Sequence, residues 1–154
     1  MNPFFTNSPD GTRSAYERSG TGPALMLLHG GGGCRQDWHD EGYGYVKRLQ
    51  DNFTVITLDL RGHGESGMPT EMADYTMNKM IEDVLAVANA CGVEHFTILG
   101  FSFGGRVGRY LAAQSERVDK IILMGTPLGV GISGELRQEI EDFCMHWPPI
   151  LQAQ

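Results

Sequence analysis

Gly100-Phe101-Ser102-Phe103-Gly104 sets one hydroxyl between two aromatic residues and two glycines. The pattern G-x-S-x-G does chemistry when it forms a very tight turn from a strand into a helix, because the turn presents the serine oxygen to a substrate carbonyl. Small residues are needed at 100 and 104, where side chains would collide with neighbouring backbone. A serine so placed stands at a helix start, whose dipole favours developing negative charge. Taken alone, the same pentapeptide reads equally well as a glycine-rich turn with an incidental serine.

A second run, His29-Gly30-Gly31-Gly32-Gly33, follows an apolar stretch. A tetrahedral oxyanion needs two converging backbone N–H groups, and a side chain beside them would obstruct the approach. The candidate donors are the amides of Gly31 and of Phe103, just after the nucleophile. A phosphate-cradling reading of the glycine run lacks the Lys-Ser/Thr of a P-loop and a complete G-x-G-x-x-G. A nucleotide-binding domain would also need an acidic residue about 20 positions beyond such a fingerprint. His29 reads as a loop organiser rather than a base. The third motif is Asp59-Leu60-Arg61-Gly62-His63-Gly64-Glu65-Ser66.

The elements that must position these motifs are legible as four short apolar runs: 24–28, 53–58, 96–99 and 120–124. They are near-continuous and rich in β-branched residues, as strands buried on both faces of a parallel sheet should be. Helical spacing lies between them. Met77, Met80, Ile81, Val84, Leu85 and Ala88 recur on one face, Thr76 is placed to cap, and Cys91-Gly92 offers the stop. Val107, Tyr110 and Leu111, with Val118 further on, mark a helix after Gly104-Gly105, and Val46 and Leu49 a poorer one. Strand and helix in alternation mean crossover connections and an α/β fold. Pro9-Asp10-Gly11 predicts an antiparallel hairpin at the sheet edge. Residues 125–129 read as a loop and 134–145 as a polar helix.

The three motifs, in this order and at these intervals, closely resemble the α/β-hydrolase family, up to about Pro127. The resemblance implies a doubly wound, mostly parallel sheet, here ending after about six strands. It assigns residues 1–127 to the N-terminal part of the hydrolase core and 128–154 to the helical start of a lid or cap. It makes Ser102 the nucleophile and Gly31 and Phe103 the oxyanion donors. Asp59, Arg61 and His63 become structural residues that shape a turn and brace the sheet. In that family the acid and then the histidine follow the serine in the chain, after strands not found here. A serine alone is a poor nucleophile without a base to take its proton. His95 precedes the serine's strand, His39 falls near the first crossover, and His63 belongs to its own turn. His146, with Glu135, Glu139 or Asp142, is the least excluded substitute.

The reading that follows is a serine hydrolase of carboxylic esters, lactones, thioesters or activated C–C bonds, with this chain close to inactive alone. Serine rather than aspartate at the elbow argues against the family's dehalogenases and epoxide hydrolases. The alternative is a non-catalytic fragment or pseudoenzyme that only binds a ligand or protein. Phe101, Phe103 and Trp38 either line an apolar acyl pocket or pack in the core.

A net charge of −7 repels nucleic acid and anionic membranes. No apolar run reaches the roughly 20 residues a bilayer requires, and Met1 to Ser14 lacks the basic and apolar regions of a secretory signal. Cys34, Cys91 and Cys144, widely spaced, imply reduced thiols in a cytoplasmic protein, with no metal site and no cofactor. The expected partner is a small ester-like substrate. The apolar edge around Ile121-Ile122-Leu123 also invites pairing with a second copy.

Overall fold

The computed structural model describes residues 2–39 and 43–126. The hairpin predicted at Pro9-Asp10-Gly11 joins β1 (Phe4–Asn7) to β2 (Arg13–Ser19), with Gly11 at a positive φ of 84°. Then follow β3 (Ala24–Leu28), α1 (Tyr45–Leu49), β4 (Thr54–Leu58), α2 (Met77–Ala90), β5 (Phe96–Phe101), α3 (Phe103–Gln114) and β6 (Val118–Met124). Short 3₁₀ turns at Arg35–Trp38 and Met72–Asp74 interrupt the connections.

The strands form one six-stranded sheet in the order β1-β2-β4-β3-β5-β6. β2 pairs antiparallel with β1 and β4, whereas β4, β3, β5 and β6 run parallel. Alternate residues of β3 point to opposite layers, as the two-residue period of a strand requires. Met26 and Leu28 join a cluster with Met80, Val84 and Val87 of α2 and Val107 and Leu111 of α3. Leu25 and Leu27 pack on the other face against Trp38 and Val46. Both faces are covered, which is why this strand reads as a continuous apolar run.

Thr76 caps α2 as its sequence predicts, its hydroxyl accepting the Lys79 amide at 3.4 Å. The helix after the elbow is shorter than its periodicity implied. Ser115 turns extended at φ −139°, and Val118 opens β6 opposite Phe96 instead of ending the helix. β6 is also less buried than the other parallel strands: it lies at the edge of the sheet among the described residues, and Ile122 is 48% exposed. The expected helix at 134–145 and the lid or cap boundary at 128 lie outside the described residues.

Candidate active site

β5 delivers the chain to Ser102 at the C-terminal end of the parallel strands, and α3 begins at the next residue. Ser102 has φ 48° and ψ −109°, and it is the only non-glycine residue at positive φ among the described residues. Such a conformation costs about 1–3 kcal/mol and persists only where its surroundings hold it. Here they do. The Ser102 amide donates to the Met124 carbonyl at 2.8 Å, and its carbonyl accepts from the Arg106 amide at 3.1 Å and the Thr126 hydroxyl at 3.0 Å.

Glycines make the bend geometrically feasible. A Cβ on Gly100 would lie 2.5 Å from the Gly105 Cα, and one on Gly104 would overlap the carbonyl oxygens of Leu28 and His29. The elbow thus rests directly on the end of β3. Its side chain is exposed at the N-terminus of a twelve-residue helix.

The glycine run leaves β3 beside this elbow. A Cβ built on Gly30 would come within 3.5 Å of the Ser102 Cβ, and one on Gly31 within 3.8 Å of the Phe103 Cβ. Gly31 therefore lies beside Phe103. Gly30 and Gly33 close a turn through a 3.1 Å bond, with Gly32 at φ 76°. No hydrogen bond joins the Gly31 or Phe103 amide to another described residue.

Two imidazoles hold this loop. His29 is buried; its Nε2 accepts the Leu60 amide at 3.0 Å, so its Nδ1 carries the proton and donates to the Gly30 carbonyl at 2.7 Å. Burial pushes its pKa below the ordinary imidazole value. With both nitrogens engaged, His29 is the loop organiser its position implied. His63 is half-buried, its ring centroid 5.0 Å from that of His29, and its Nε2 accepts the Gly32 amide at 3.3 Å.

Asp59 and Arg61 do not pair with each other. Asp59, fully buried, accepts the Arg35 amide at 2.7 Å and the Glu65 amide at 2.9 Å, and also binds the Arg35 guanidinium. Arg35 continues to Glu17 at 3.0 Å and to Glu65. Arg61 grips Asp83 of α2 with two bonds of 2.7 Å and reaches Asp10 of the hairpin at 2.9 Å. That guanidinium holds the Asp10 carboxyl well below the usual carboxylate range. Both residues brace the sheet. Arg35 and Asp83 escaped notice in the sequence, although Asp83 sits on the apolar stripe of α2 between Met80 and Val84, where a carboxylate must find a buried partner.

The remaining histidines stand apart from the serine. His95 precedes β5, at the opposite end from Ser102, and lies 3.2 Å from Asp119. His39 lies 3.0 Å from Glu17. Among the described residues none bonds the Ser102 hydroxyl, and His146 falls outside them. Trp38 is fully buried in the second core cluster, so it packs rather than lines a pocket, while Phe101 and Phe103 are half-buried against the two clusters. No group of three metal-ligating side chains occurs among the described residues. No helix among them is long and apolar enough to cross a membrane.

Comparison with known proteins decides the family. The alpha/beta hydrolase fold profile matches residues 23–146, spanning all three motifs. The chain belongs to the α/β-hydrolase family. Its relatives include an uncharacterised protein of Mycobacterium bovis, 36% identical over 115 residues, which cover 74% of this hydrolase-family chain and 32% of that protein. A serine hydrolase-like protein of Homo sapiens is 32% identical over 119 residues, 75% of this chain and 55% of the human protein. Among solved structures, one of the epoxide hydrolases from metagenomes of hot environments superimposes with a TM-score of 0.74 at 28% identity, covering 82% of this chain and 43% of that one. The chain thus spans about a third of the mycobacterial relative and just over half of the human one.

Proposed function

We propose that this chain carries the nucleophile and oxyanion donors of a serine hydrolase acting on carboxylic esters, lactones, thioesters or activated C–C bonds. One observation carries the reading: an exposed serine held at positive φ, at a helix N-terminus, against the glycine loop that leaves β3. In this mechanism the Ser102 Oγ attacks the carbonyl carbon, and the carbonyl oxygen takes the negative charge. The Gly31 and Phe103 amides and the N-terminus of α3 stabilise that oxygen, and the pre-set geometry means no donor has to reorganise during the step. The serine proton passes to a base from outside the described residues. Without that base the serine reacts slower by several orders of magnitude.

Epoxide hydrolases stand among the structural neighbours, so the fold alone does not choose the chemistry. The serine at the elbow supports acyl chemistry, since its alkoxide adds to an electrophilic carbonyl. The test is an organophosphonate probe followed by mass spectrometry, with Ser102→Ala beside the wild-type chain and a serine esterase that takes the probe as a positive control. A phosphonyl adduct that builds up slowly on Ser102 under excess probe, as a nucleophile without its base should give, and that is absent from the variant, is expected. A chain still unlabelled after prolonged exposure to excess probe, beside a labelled control, defeats the proposal and leaves a domain that only binds. Turnover of an aryl epoxide in place of a p-nitrophenyl ester would move the chemistry to the other branch of the family.

A further inference from the structure

The glycine loop and the loop after β4 are joined by a reciprocal pair of bonds. His29, from the first loop, accepts an amide of the second (Leu60), and His63, from the second, accepts an amide of the first (Gly32). Each ring also has a carbonyl at its other nitrogen: Gly30 for His29 at 2.7 Å, and Arg61 for His63 at 3.1 Å. The two amides can only be donors, so each Nε2 must be bare and each Nδ1 must hold the single proton. The clasp closes with both imidazoles neutral.

We propose that His63 is a positioning residue for the oxyanion loop, holding the Gly31–Gly32 segment against the elbow only while its imidazole is uncharged. This rests on the assignment of Gly31 as an oxyanion donor. A proton added at Nε2 would point an N–H at the N–H of Gly32, turning an attractive contact into a repulsive one. Gly32 sits at φ 76° inside the four-residue turn, and the bond from its amide fixes the Gly31–Gly32 peptide, the unit next to the Gly31 amide.

The two rings differ in their access to water. His29 is 1% exposed, and burial disfavours its charged form. His63 is half-buried, and the titratable group packed on its ring is His29, at 5.0 Å between centroids. The other charges of its loop are engaged elsewhere. Asp59 and Glu65 are bound to Arg35, and Arg61 to Asp83 and Asp10. An imidazole in contact with water changes charge between about pH 5 and 8.

Two measurements test the idea. In the first, the Gly32 amide resonance is followed by NMR from pH 8 to 5 in wild type and in His63→Gln, whose amide oxygen can accept the same bond at any pH. The resonance is expected to move with the His63 titration in wild type and to stay still in the variant. A Gly32 signal that ignores pH in wild type, or a neutral His63 protonated at Nε2, overturns the proposal even if no variant folds.

In the second, the rate of Ser102 phosphonylation is compared at pH 8 for wild type, His63→Gln and His63→Phe. Losing an oxyanion donor outright costs 10²–10³-fold, so a misplaced one should slow His63→Phe by about tenfold or more. His63→Gln should stay within about threefold of wild type and lose less rate than wild type on going to pH 5. Equal rates for all three proteins sink the positioning role. If wild type itself is unlabelled, the serine-hydrolase reading fails, while the Gly32 titration still decides whether the clasp exists.

Discussion

Two regions meet at Ser102, and they are built by opposite means. The elbow is held by missing side chains: Gly100, Gly104 and Gly105 let α3 descend onto β5 and the end of β3, and even one Cβ there would strike backbone or the Thr126 side chain. The turns after β3 and β4 are held by buried polar side chains, with Asp59 and Arg35 under one and Arg61 and Asp83 under the other. The first device is steric and local, the second electrostatic and long-range. The sharp bend is thus admitted by absent side chains and pinned by bonds to its own backbone, while the loops that face it need charges taken out of water, each of which must keep its partner.

The comparison predicts unequal responses to mutation. The largest is expected for Asp83→Ala. It leaves Arg61, whose side chain is inaccessible, with its principal partner gone, and breaking a buried pair in this way costs about 3–5 kcal/mol. It also removes the acceptor of the Ser8 hydroxyl. Urea denaturation measures it; a loss below about 1 kcal/mol would mean that Asp10 and the Asp74 and Lys79 carbonyls together satisfy the guanidinium.

Gly104→Ala should come next. The new methyl would overlap the Leu28 and His29 carbonyls, and overpacking of this kind typically costs about 1–3 kcal/mol. Because the backbone must shift to admit it, Ser102 phosphonylation should fall by more than the loss of folded protein explains. A variant with native stability and native labelling would show that the elbow has slack.

The smallest effect is a slope with pH. His29 has its pKa lowered by burial, whereas in the unfolded chain it titrates near 6.5. Below that value the unfolded state takes up a proton that the folded state resists, so stability falls as the pH drops. Unfolding midpoints measured from about pH 7.5 to 5 should decline, and His29→Asn, if it folds, should flatten the curve. A midpoint that is constant or rises toward acid would contradict the neutral clasp.

How legible each region was in the sequence follows from the same contrast. The hairpin at Pro9-Asp10-Gly11, the Thr76 cap and the elbow were all readable, because each depends on residues within a few positions of one another. The core faces were readable from period, since Met80, Val84 and Ala88 recur at helical spacing whatever they touch. Val118 misled because an apolar residue four beyond a helix end suits a further turn as well as a strand. Trp38 could equally have lined a pocket; only the packing of α1 and the chain after β3 over it places it in the core.

What the sequence determined by itself, then, is the set of local conformations: where backbone bends, where it must approach closely, which stripe of each helix is apolar, and hence the fold family. The tertiary structure alone decided the strand order, and with it that Arg35 answers Asp59, Arg61 answers Asp83, and His63 answers Gly32. Dihedral preference and side-chain volume act between neighbours in the chain. The partner of a buried charge is whichever group the crossovers bring within about 3 Å, and that distance is unrelated to the number of residues between them.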